Sequence, residues 1–115
     1  MDYYRPEDLE RFPEIGADAP ELWQQFSQWY GQVFAAGALT RREKSLIALA
    51  VAHAVQCPYC IDAYTQESLT QGANLAQMTE AIHVAAAIRG GATLAHGLQM
   101  RNAATAVLPV EDTTP

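Results

Sequence analysis

Cysteine is scarce in this chain of 115 residues, with only two, and basic side chains are outnumbered: 7 Lys+Arg against 13 Asp+Glu, a formal charge of −6. Each shortage excludes something. Small secreted domains stapled by disulfides carry more cysteines, spread further apart. The acidic balance leaves no basic stripe to neutralise phosphates, so neither nucleic acid nor an anionic membrane surface is an expected partner. Long apolar runs are also missing. The longest nearly uncharged stretch, Ser45 to Tyr59, is too short to span a bilayer and contains His53, Gln56 and Pro58. Met1-Asp2-Tyr3-Tyr4-Arg5-Pro6 lacks a basic region leading into an apolar one, so no secretory signal is expected and a cytoplasmic location is the default. Period-two alternation is absent as well, which removes strands from the expected architecture.

What remains is 50% hydrophobic and 17% charged, enough to build a core, and its length fits a single domain over residues 1–115. Pro6, Pro13, Gly16 and Pro20 shape residues 1–20 into an arm, with a short helical turn near Pro6 to Arg11 and irregular chain after it. From Glu21, the residues Leu22, Trp23, Phe26, Trp29, Tyr30, Val33 and Phe34 recur at helical steps; this aromatic face is expected to be core or subunit interface rather than a ligand cage.

Thr40-Arg41-Arg42-Glu43 has the form of a capping box, so a helix should start at Arg41 and run through the apolar stretch to Val55. Pro58 breaks that helix and suits the first turn of the next, which should end at Gly72. Asn74 caps a further helix reaching Gly90-Gly91, and a last one is expected over Thr93 to Ala106, followed by an irregular tail from Leu108. The fold is therefore expected to be all-α, with about six helices. Its aromatic stripe and nearly uncharged central helix point to a homo-oligomer, because a chain this short buries limited surface on its own.

The two cysteines stand together, as Cys57-Pro58-Tyr59-Cys60. The thiolate is the reactive form, yet an ordinary cysteine with a pKa near ~8.5 is mostly protonated at neutrality. A helix beginning at Pro58 would place Cys57 at its cap and Cys60 in its first turn, where free amides and the helix dipole favour negative charge. That effect is modest. Lowering the pKa by two units takes about 2.7 kcal/mol, and a helix end supplies roughly 0.3–1. His53 lies four residues before Cys57 and would share its face for as long as the helix persists, which makes it the candidate base. His83 and His96 have no local partner and read as structural or interfacial.

Two thiols at this spacing can close a disulfide: one is oxidised by a peroxide to a sulfenic acid, and the other displaces water from it. The cycle then needs an external thiol or dithiol reductant. Zinc held by His53, Cys57 and Cys60 would lack a visible fourth ligand, and simple packing of the two sulfurs is the remaining alternative.

Leu46-Ile47-Ala48-Leu49-Ala50-Val51, then Cys57-Pro58-Tyr59-Cys60-Ile61-Asp62-Ala63, and later Ala85-Ala86-Ala87-Ile88-Arg89-Gly90-Gly91-Ala92 resemble the carboxymuconolactone decarboxylase and AhpD-like alkylhydroperoxidase family over roughly Phe34 to Met100. Within it the chain is most similar to peroxidase-like proteins associated with arsenosugar biosynthesis. The resemblance implies an all-helical domain assembled as a trimer or hexamer, no cofactor, and reduction of a small hydroperoxide by the cysteine pair. It also implies attack by Cys60 and resolution by Cys57, a choice that helix-end physics alone does not make. Two positions depart from the family pattern: Ser45 replaces a glutamate and Tyr64 replaces a histidine. Tyr64 could still hydrogen-bond a thiolate or peroxide, and His53 is the substitute base. A non-catalytic helical oligomer binding a thiophilic ligand such as arsenite is the alternative function.

Overall fold

The computed structural model describes residues 3–109, and among them the architecture is all-α. A 3-10 segment, Pro6–Gly16, precedes four α-helices: α1 (Pro20–Phe34), α2 (Arg41–Ala54), α3 (Pro58–Thr70) and α4 (Leu75–Val107). That is five helical elements rather than about six. The arm is more regular than its prolines suggested, since its 3-10 turns continue past Arg11 with Pro13 inside. From residue 110 onward, the expected irregular tail lies outside the described residues.

The helix boundaries follow local chemistry. At the start of α2, the Thr40 hydroxyl accepts from the Glu43 amide while the Glu43 carboxylate accepts from the Thr40 amide. Asn74 and Gln77 make the same reciprocal pair at the start of α4. Gly72, at φ +84°, ends α3 in the left-handed region that glycine enters without steric cost.

The expected break at Gly90-Gly91 does not occur. Neither residue takes a positive φ, and α4 runs unbroken for 33 residues, roughly 50 Å. Two helical glycines cost about 2 kcal/mol relative to alanine, and the strong helix formers Ala85, Ala86, Ala87 and Ala92 on either side carry the helix through. Among the described residues, nothing beyond the helix's own neighbouring backbone lies within 4 Å of where a Cβ would stand on either glycine, so they serve no tight packing contact with another described element.

The buried centre is small: Leu49 and Ala52 of α2, Ala73, and Met78 of α4, with Leu46 and Tyr64 packed against it. Ser45 and Ser68 close the seam between α2 and α3, the Ser68 hydroxyl donating to the Ser45 carbonyl at 3.3 Å. Much apolar surface stays open, including Ile88, Leu94 (81% exposed) and Leu98 on α4. The Cα radius of gyration is 21.0 Å, whereas a compact 100-residue domain has about 13 Å.

Candidate active site

Cys57 is the N-cap of α3, and its Sγ accepts the Cys60 amide at 3.3 Å. The sequence places it there because Pro58, without an N–H, fits the first helical position and turns the chain into α3. Both cysteines are free and half-buried. Burial, first, and then the hydrogen bond and charge of Cys57 push the Cys60 thiol up to about 11. One thiolate on the pair therefore opposes a second.

Cys57 and Cys60 both line a cleft of about 1020 Å³. Its walls come from three places: Leu9, Phe12 and Ile15 of the arm; Trp23, Phe26, Tyr30 and Phe34 of α1; and Tyr59, Ala63, Tyr64 and Glu67 of α3. The aromatic face of α1 is thus a cavity wall. No residue of that helix is buried, which corrects the core alternative for this face and leaves the subunit-interface alternative as it stood. Phe12 meets Trp23 edge-on at 4.9 Å between ring centroids, and Tyr64 stacks on Phe34 at 5.1 Å. The arm can lie this close because Gly16 carries no side chain: a Cβ there would stand 2.7 Å from Trp23 Cβ.

Two phenols that the sequence did not single out attend the thiols. Tyr30 is pushed up by burial and, after it, by the charges of Cys60 and Cys57, so its proton is held beside them. Tyr4 is pushed up to about 12, chiefly by its hydrogen bond to Asp62. It also meets Tyr59 edge-on at 4.8 Å. The helical spacing of residues 23, 26, 30 and 34 revealed their shared face but not what it faces, and no local pattern links Tyr4 to Asp62.

Of the expected site residues, the structure brings Cys57, Cys60 and Tyr64 to one cavity and leaves His53 outside its lining. α2 ends at Ala54, and Gln56 takes φ +57°, so the helical register that would align His53 with Cys57 stops short of the cysteine. The His53 Nδ1 lies 2.8 Å from the Leu49 carbonyl oxygen. Ser45 is sealed in the α2–α3 seam, its hydroxyl donating to the Arg42 carbonyl. Glu67 is the carboxylate that α3 turns toward the cavity, two turns beyond Cys60. Among the described residues, no three His, Cys, Asp or Glu side chains are grouped to hold a metal ion, and no helix is long and apolar enough to cross a membrane.

An all-helical domain with paired thiols at a helix start is the class that the fold and site define. The chain belongs to the carboxymuconolactone decarboxylase family, whose model matches residues 20–102. It is 51% identical over 76 residues to protein 4 of the cox locus of Paracoccus denitrificans, a match covering 66% of this chain and 65% of that relative's length. A structural-genomics target from Methanobacterium thermoautotrophicum superposes with a TM-score of 0.65 at 33% identity, covering 81% of this chain and 97% of that one. An apo carboxymuconolactone decarboxylase family protein of Legionella pneumophila gives a TM-score of 0.67 at 30% identity, covering 78% and 80%. The arm before residue 20, which supplies one wall of the cavity, lies outside the family match.

Proposed function

We propose that the chain is a thiol-dependent peroxidase, acting in the cytoplasm on hydroperoxides with a thiol or dithiol as the external reductant. The observation that carries this reading is the placement of both free sulfurs at the start of α3, hydrogen-bonded through the Cys60 amide and open to one apolar cavity. Cys60 attacks the terminal oxygen of the hydroperoxide. The O–O bond breaks, the alcohol leaves with a proton, and Cys60 becomes a sulfenic acid. Cys57 then attacks that sulfur, a disulfide forms and water leaves, so the two thiols have given two electrons to the peroxide. A dithiol restores the pair by exchange.

Tyr64, in the cavity wall, orients the oxidant, and Tyr30 holds a proton for the departing alkoxide. In this reading His53, near the end of α2 and outside the cavity lining, sets the protonation of the pair. A thiol titration of the parent beside His53→Ala tests this role: a higher thiol pKa in the variant supports it, and an unchanged titration removes His53 from the mechanism.

The protomers associate in this reading as a trimer or hexamer, the states that the family resemblance implies, and the exposed Leu94 and Leu98 on the outer half of α4 are compatible with such a contact. Within the family we place the chain beside the peroxidase-like proteins associated with arsenosugar biosynthesis, on overall sequence similarity.

Adding one equivalent of organic hydroperoxide should remove two free thiols per chain, and a dithiol should restore them. Consumption of hydroperoxide by Cys60→Ser at the parent rate would overturn the assignment. Tight uptake of trivalent arsenic without any peroxide turnover would favour the thiophilic-ligand binder instead.

A further inference from the structure

We infer that the cavity takes a long-chain carboxylic acid hydroperoxide, with its chain along the aromatic walls, its peroxide at the cysteine pair and its carboxylate at Arg41. This rests on the peroxidase reading and adds the substrate class.

Size is the first argument. At about 1020 Å³ the cleft matches the upper end of the roughly 300–1,000 Å³ typical of sites for drug-sized molecules. Hydrogen peroxide, comparable with a water molecule at about 30 Å³, would touch almost none of it. Leu9, Phe12, Trp23 and Phe26 offer an apolar wall to something larger.

Charge placement is the second. Two cations line the cleft, Arg11 and Arg41. Arg11 is held between Asp8 and Glu14. Arg41 has no acidic partner within ion-pair distance among the described residues, and the Glu67 carboxylate of the same lining accepts from Gln71 Nε2 at 2.9 Å. An exposed guanidinium in the lining of a largely apolar cleft suits an acid headgroup.

The third argument is the distance between the two ends. The bond from Ser68 to the Ser45 carbonyl shows that the start of α2 lies beside the end of α3, so α2 and α3 are antiparallel. Arg41, one turn before Ser45, therefore stands at the Glu67 end of the cleft, whereas the thiols stand at the other. Cys60 to Glu67 spans seven residues, about 10 Å along the axis. A ligand bridging both ends carries its peroxide in mid-chain, well away from its carboxylate. Reduction gives the corresponding hydroxy acid and water, and leaves the disulfide.

The experiment has a binding arm and a turnover arm. In the Trp29→Phe chain, Trp23 is the sole indole and reports on its own cavity, so its emission is titrated with dodecanoic acid and with methyl dodecanoate. The acid should bind about fivefold more tightly, the scale of an exposed ion pair near 1 kcal/mol, and Arg41→Gln should abolish the difference. In turnover, a linoleic acid hydroperoxide should be preferred over its methyl ester by a similar factor, and Arg41→Gln should bring that ratio to about one. Equal binding of acid and ester, no binding of either, or a preference that survives Arg41→Gln would overturn the inference. Reduction of cumene hydroperoxide without acid preference sinks this inference alone. Failure to reduce any hydroperoxide sinks the peroxidase reading, while the Trp23 titration still decides the acid site.

Discussion

Tyr4 reaches across 58 residues to donate its phenolic proton to the Asp62 carboxylate, fastening the arm to the first turns of the thiol-bearing helix. The bond holds the phenol protonated, because ionising Tyr4 would set two anions face to face. Asp62→Asn should bring one tyrosine down from about 12 to the ordinary range near 10, read as phenolate absorbance on alkaline titration. Superimposable titrations of the two chains would mean that the arm is not fastened there.

Cys57 raises Cys60 by hydrogen bond and by charge, so Cys57→Ala should lower the Cys60 pKa from about 11, leaving only the effect of burial. The rate of iodoacetamide alkylation against pH measures it. Stability carries the same sign. A thiol raised from 9.0 to about 11 on folding contributes stability that is fully present below 9 and lost as pH rises through 11. The Tm of the reduced parent should therefore fall faster than that of Cys60→Ser across that window.

Tyr30 keeps its proton, held up by burial and then by the charges of Cys60 and Cys57, and lines the same cavity; in the proposed cycle it donates to the oxygen that leaves. Tyr30→Phe removes that donor while preserving the ring in the cavity wall. Single-turnover oxidation by an organic hydroperoxide should slow by roughly tenfold to a hundredfold, with the count of oxidisable thiols unchanged. An unaltered rate would reduce Tyr30 to a wall residue.

A methyl group at position 16 would collide with the root of the Trp23 side chain, which cannot swing aside as a side-chain tip would. Gly16→Ala should cost about 1–3 kcal/mol in denaturant unfolding and should red-shift indole emission as the arm lifts from Trp23. Unchanged emission would show that the arm and α1 are less closely apposed.

Leu94 and Leu98, 81% and 62% exposed, lie one turn apart on α4. If they meet a second copy, Leu94→Asp with Leu98→Asp should lower the mass measured by light scattering after gel filtration. A parent that already runs at the mass of one chain would refute the association.

Local chemistry was legible in the sequence wherever the physics is local. Thr40 with Glu43, Asn74 with Gln77, Pro58 and Gly72 set helix ends through contacts a few residues apart. Gly90-Gly91 misled because a glycine pair stops a helix only when the chain also turns there, and the surrounding alanines favour continuation. The α1 stripe showed its periodicity correctly, but whether Trp23, Phe26 and Tyr30 meet a core or a cavity depends on where the arm folds back. Tyr4 with Asp62, and Arg41 with the far end of α3, are juxtapositions across tens of residues. His53 illustrates the reverse case, in which a local rule lapses because the helix ends one residue after it, at Ala54.

Gly16 lets the arm lie against Trp23 and line the cavity with the cysteines, and Tyr4 fastens it to Asp62, two residues after Cys60, so whatever is joined ahead of Tyr4 starts close to the cysteine pair. A purification handle or reporter fused at that end would crowd the entrance and compete for the clasp. Sulfur reactivities measured on such a fusion would describe the handle as much as the protein.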